Sequence, residues 1–143
     1  MSYKVKDYMD AFFKTVDINA SIREAASIIA GNQVQGFLIV TDKGVPKGVV
    51  TSIDIVIKVV AEGRSPEEVK VLEVMTSPLI TIDPDEDLLK ASELMQKNNV
   101  RRLVVEKNGI IYGVLTSSDI ARRCGEYVNK ATRDLLRWSF PMR

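Results

Sequence analysis

Histidine is absent from this chain, and cysteine and tryptophan occur once each. Without histidine there is no Ser-His-Asp relay, and the usual imidazole ligand of zinc is missing. The single thiol, Cys124, cannot close an internal disulfide and has no imidazole base to activate it. That pattern suits a reducing compartment and makes Cys124 a small packing residue. An excess of either charge is also lacking, with 20 basic and 19 acidic residues. The balance gives no broad electrostatic footprint for nucleic acid. No run approaches the roughly 20 apolar residues of a membrane helix. The opening "MSYKVKDYMD" has no apolar core of the signal-peptide kind. A soluble, cytoplasmic protein without membrane contact is expected. There is no Walker-type glycine loop, no metal-ligand cluster and no carboxylate pair of acid–base character, so neither an enzyme nor a cofactor or metal site is expected.

The phrase "GVVTSIDI" (Gly48–Ile55) returns as "GVLTSSDI" (Gly113–Ile120). The repeat extends well beyond it. "YKVKDYM" (Tyr3–Met9) returns as "VKVLEVM" (Val69–Met75), and "KTVDINASIREAASII" (Lys14–Ile29) as "ITIDPDEDLLKASELM" (Ile80–Met95). Met9 and Met75 lie 66 positions apart, whereas Gly48 and Gly113 lie 65 apart. One residue has dropped out, and the facing turns "TDKGVPKG" and "EKNGIIYG" are where it is expected to be missing.

Each copy reads as β-α-β-β-α. A short extended piece precedes a helix with Ile22, Ala25, Ala26 and Ile29 on one face, or Leu88, Ala91 and Met95 in the second copy. Gly31 and the Asn98–Asn99 pair are helix stops. Two apolar runs with Gly- and Asp/Asn-bearing turns then form a hairpin. A second helix covers Ile53–Glu62, then Ser118–Tyr127. Met75 joins Met95 in the core. A unit of about 60 residues has a marginal core alone, so two copies are expected to pack face to face about a pseudo-two-fold axis. The expected division is a first repeat over 1–64, a second over 65–125 and a helical extension over 126–143. Ser65, Pro66 and Glu68 spell a capping box that opens a short turn between the repeats. In the extension, Leu135, Leu136 and Trp138 offer an apolar face for the protein's own core or a dimer partner.

The twice-written "T-S-x-D" admits two readings. Thr51 and Asp54, like Thr116 and Asp119, fit a capping box that needs no ligand. The same strand-to-helix junction also presents free N–H groups and the hydroxyls of Thr51, Ser52, Thr116 and Ser117 to an anion. Asp54 or Asp119, one turn on, can accept from the vicinal hydroxyls of a ribose. A nucleotide would satisfy both ends, with apolar residues of "TVDI" and "LITI" beside the base.

The chain resembles a stand-alone pair of cystathionine-β-synthase (CBS) domains over about Tyr3 to Gly125. The resemblance rests on "VKDYM", "VLEVMTSPLITIDPDEDLLKASELM" and "RRLVVEKNGIIYGVLTSSDI", an ordered set that occurs twice. It implies an α/β (α+β) fold of two β-α-β-β-α repeats packed as a pseudo-two-fold disc with two clefts. It implies that AMP, ADP or ATP is the ligand, with S-adenosylmethionine second. On that resemblance Asp54 and Asp119 hold ribose, and Thr51, Ser52, Thr116 and Ser117 lie near phosphate. Lys14, Thr15 and Val16, and Ile80, Thr81 and Ile82, edge the base. Arg101 or Arg102 turns to phosphate; the first copy has Gln35 and Gly36 there and "MDAFFKTV" in place of "MTSPLITI", so the two clefts differ. Such a module senses its ligand, forms a homodimer through its helices and signals to a regulated protein. Two other readings stay open: a scaffold whose "T-S-x-D" segments are only caps, and a nucleic-acid regulator using Arg101, Arg102, Arg122 and Arg123.

Overall fold

In the computed structural model, residues 3–32 and 36–124 are described, except for the side chains of Arg123 and Cys124. Gln35 and the expected extension 126–143, with Leu135, Leu136 and Trp138, lie outside them.

The first repeat begins with strand β1 (Thr15–Asp17), in which only the middle residue, Val16, is buried. Helix α1 (Ile22–Gly31) starts where the Ser21 hydroxyl accepts from the Glu24 N–H at 3.1 Å. Its buried face carries Ile22 and Ala25, as the spacing predicts. Strands β2 (Phe37–Asp42) and β3 (Val45–Thr51) form the antiparallel hairpin, and β1 runs parallel to β2. The turn residues Lys43 and Gly44 both have positive φ, 52° and 81°, the pairing that matches strand twist in a two-residue loop. Helix α2 (Ser52–Ile55) widens at once into a π turn over Val56–Val60. There the Ala61 N–H reaches the Val56 carbonyl, five residues back, at 2.8 Å. The expected Ile53–Glu62 helix is thus two kinds of helix.

The second repeat follows the same plan. Strand β4 (Thr81–Ile82) leads to helix α3 (Leu88–Asn98), capped by Asp87 and ended by Asn99 at φ 52°. Leu88, Ala91 and Met95 are its buried face. Strands β5 (Arg102–Lys107) and β6 (Ile110–Thr116) turn through Asn108 and Gly109, again both at positive φ, into helix α4 (Ser117–Cys124). The β-α-β-β-α order is therefore realised twice, around two three-stranded sheets ordered β1-β2-β3 and β4-β5-β6.

Two sequence expectations are corrected. Phe37 pairs with Thr51, and Arg102 with Thr116, so both hairpins keep one spacing and have equal turns. The dropped residue lies earlier, between the first helix and the second strand of the repeat. Ser65 does begin a turn, its carbonyl accepting from Glu68 N–H at 3.0 Å, but its hydroxyl donates to Glu67 rather than closing a box with Glu68.

The partners of the lead segments could not be read from sequence. The chain divides into two spatial units: Phe12–Ile80, and the stretch up to Ala11 together with the chain from Thr81 onward. "VKVLEVM", which opens the second repeat in sequence, packs on the first. Val69, Val71 and Val74 join the core of Ile22, Leu38, Val40 and Val50. The Ile22 N–H donates to the Val69 carbonyl at 2.8 Å, and Thr76 and Val49 exchange both backbone bonds. "YKVKDYM" does the same for the second repeat. Val5 N–H donates to Glu86, Leu88 N–H to Tyr3, and Asp10 and Val114 exchange bonds at 2.8 and 2.9 Å. Lys6 and Lys107 each approach Asp85 to 3.1 Å and hold its carboxyl below the ordinary aspartate range. These charges are half exposed, so they orient the segment more than they stabilise it.

Both lead segments meet a strand at a glycine. A Cβ on Gly48 would strike the Thr76 carbonyl, and one on Gly113 the Asp10 carbonyl. Gly113→Ala is expected to lower stability by about 1–3 kcal/mol, the usual cost of overpacking, in urea unfolding. Amide exchange at Asp10 and Val114 should accelerate. An unchanged midpoint would show that the approach does not constrain the sheet.

Candidate functional site

Thr51 ends β3 with extended backbone, which leaves its side chain over the first turn of the helix that follows. Its hydroxyl accepts from the Asp54 N–H at 3.1 Å and donates to Asp54 Oδ2 at 3.0 Å, while its own N–H donates to the same oxygen at 3.0 Å. The second repeat copies this. Asp119 N–H donates to Thr116 Oγ1 at 3.0 Å, and Thr116 N–H to Asp119 Oδ2 at 3.2 Å. Both capping boxes are complete.

The other carboxylate oxygen is treated differently from the first. Asp54 Oδ1 lies 3.3 Å from Lys58 Nζ, and Asp119 Oδ1 is bonded to the Arg122 guanidinium. Asp119 is only 4% exposed, so its charge needs this partner. In each repeat one oxygen therefore caps the helix, and the other faces a cation carried on the same helical stretch.

The amides expected to receive an anion are partly taken. Ser52 N–H donates to the Gly36 carbonyl at 2.7 Å, and Ser117 N–H to the Arg101 carbonyl at 3.0 Å. The hydroxyls of Ser52, which is exposed, and Ser117, which is half-buried, stand beside these bonds. The same two bonds correct the expected match between repeats. Gly36 stands opposite Arg101, and Phe37, which is buried, stands where the exposed Arg102 does. The cause is the position of the dropped residue.

Register places further candidates. Thr15 pairs with Ile39 and Phe37 with Thr51, so the entry to β1 and the end of β3 lie at the same end of the sheet with β2 between them. Two strand spacings separate them, about 9–10 Å. Lys14 and Thr15 are exposed at that end, and Lys14 Nζ sits 6.0 Å from the Phe12 ring centroid. Val16 and Ile82 are core residues whose side chains are spent on packing, so only their backbone can serve a site. Ile80 and Thr81 are half-buried; Ile80 groups with the first unit, Thr81 and Ile82 with the second. The second unit gathers Arg101, Arg102, Thr116, Ser117 and Asp119 at its β6–α4 junction.

Sequence reasoning names Arg122 only for a nucleic-acid reading and does not name Lys58, although Asp54–Lys58 and Asp119–Arg122 have the i,i+4 and i,i+3 spacing of helical ion pairs. Among the described residues no acidic or sulfur cluster could hold a metal ion. Asp119→Ala is expected to lower thermal stability by about 0.5–2 kcal/mol, the cost of a lost cap. A larger loss would indicate that the ion pair with Arg122 dominates.

Comparison with known proteins extends the picture. The family model of the CBS domain matches residues 5–61 and again 71–126. A CBS domain-containing protein of Bacillus subtilis, YhcV, is 37% identical over 118 residues, 82% of each chain. The chain spans under half the length of several other curated relatives. One is a homoserine O-acetyltransferase of Methanococcus vannielii, 31% identical over 117 residues, 81% of this chain and 24% of the enzyme. Among solved structures, a CBS domain pair in complex with 5-methylthioadenosine and S-adenosyl-L-methionine is 30% identical, with a TM-score of 0.77 over 90% of this chain and all of that one.

Proposed function

The chain belongs to the CBS domain family, and on that premise we propose that it is a regulatory module that binds an adenine nucleotide at its strand-to-helix junctions. One observation carries this reading. In both repeats the acid keeps a single oxygen for the cap and offers the other to an exchangeable side-chain cation. Ribose hydroxyls can take that second oxygen without undoing the helix start. A similar solved pair is in complex with two adenosine-bearing compounds, which supports adenosine as the common moiety. AMP, ADP and ATP are the preferred ligands and S-adenosylmethionine the next. Phosphate favours the second junction, where Arg101 and Arg102 are exposed, over the first, where Gly36 and Phe37 stand. No covalent step is involved. Ligand favours one arrangement of the module by its difference in affinity between arrangements, and a regulated protein reads the result. A cytoplasmic location accords with the lone cysteine.

Calorimetric titration with AMP, ADP and ATP tests the reading. At least one is expected to bind, and Asp119→Ala to weaken it more than Asp54→Ala does. If none binds in excess and none raises the melting temperature, the complete capping boxes favour the scaffold reading instead.

A homodimer through helices belongs to the same proposal. Ile53, Val56, Ile57 and Val60 are each more than half exposed on the α2 and π stretch. An apolar row of this kind is costly to leave in water. Light scattering is expected to give twice the chain mass, and Val56→Asp with Ile57→Asp to give monomer. A wild-type monomer would remove the dimer from the proposal.

A further inference from the structure

The Lys58 ammonium touches two partners that lie far apart in sequence. It donates to the Val74 carbonyl at 2.9 Å and pairs with Asp54 Oδ1 at 3.3 Å. We propose that Lys58 is the positioning residue of the first junction and couples the state of Asp54 to the connector that leads into β4. This rests on the ligand reading above only for what displaces Lys58.

Asp54 Oδ2 already accepts two hydrogen bonds, so only Oδ1 is free to change partner, and Lys58 sets its direction. The helix is widened where Lys58 sits. The π turn lets Val59 reach the core with no exposed surface, while Lys58, a residue earlier, spans the gap to the connector. Val74 is buried and closes the short 3₁₀ turn Val71–Glu73. Two residues on, Thr76 exchanges both backbone bonds with Val49, at 3.0 and 2.8 Å, and Val49 lies two residues before Thr51. Asp54, Lys58, Val74, Thr76, Val49 and Thr51 thus form a closed circuit within one unit. In the second repeat Asp119 takes Arg122 from three residues along, so the two junctions are not wired alike. A ribose hydroxyl that draws on Asp54 Oδ1 competes with Lys58 for it and shifts the ammonium toward its other partner, the connector.

The test uses the full chain as wild type, Lys58→Met, Lys58→Gln and Lys58→Arg, followed by NMR-detected amide exchange. Without ligand, the two neutral variants are expected to speed exchange several-fold at Thr76 and Val49 while the sheet centre at Ile39 and Val40 is unchanged. Lys58→Arg should restore slow exchange. With AMP, ADP or ATP in excess, wild type should show altered exchange at Thr76 and Val49, and the neutral variants should not. Unchanged exchange in Lys58→Met and Lys58→Gln, or failure of Lys58→Arg to restore it, overturns the coupling. If no nucleotide binds wild type yet the neutral variants still loosen the connector, the ligand reading fails and the positioning role stands.

Discussion

Backbone laid directly on backbone, at Gly48 and at Gly113, is the constraint from which the local geometry follows. Each glycine sits opposite the last regular residue of the neighbouring strand, Val40 or Val105, where the register slips by one. The slip and the missing side chain together open a place for a lead segment to bond edge-on to the strand. Once that segment is docked, the strand end three residues later is fixed in direction. Thr51 and Thr116 then begin their helices from a rigid base, and the acids one turn on inherit that rigidity. A junction held this firmly is suited to recognition because little ordering remains to be done when a ligand arrives.

The two junctions share this scaffold and differ in what surrounds it. Gly36, with φ 76°, presses close to Ser52, whereas Arg101 occupies the equivalent place beside Ser117. Phe37 is buried where Arg102 is exposed. Lys58 ties its acid to a distant carbonyl, while the partner of Arg122 among the described residues is the acid of its own helix. The backbone pattern is repeated closely, and the divergence falls on side chains near the acids. A pair of this sort can give unequal responses without any change of fold.

Much of this was legible in the sequence because it is local. Ile22 with Ala25, and Leu88 with Ala91 and Met95, announced their helices by spacing alone. Thr51 with Asp54 announced a cap for the same reason. The exchange of lead segments was not legible. "YKVKDYM" and "VKVLEVM" are near copies, so composition cannot say which sheet each one joins, and the choice is made by packing over long range. The π turn at Val56–Val60 was hidden because its residues suit an ordinary helix equally well. The position of the dropped residue was misplaced because both hairpins carry loop-like letters, and only strand pairing distinguishes them. Lys58 had a visible partner in Asp54, but Val74 offers only a carbonyl, which no residue type reveals.

Order along the chain and membership of a sheet do not coincide here. Tyr3 to Ala11 open the first repeat in sequence yet group with the second, where Asp10 is bonded to Val114 two residues ahead of Thr116. Anything spliced on upstream would therefore pull on the segment bonded next to the second junction, so a reporter fused there would listen to the second repeat.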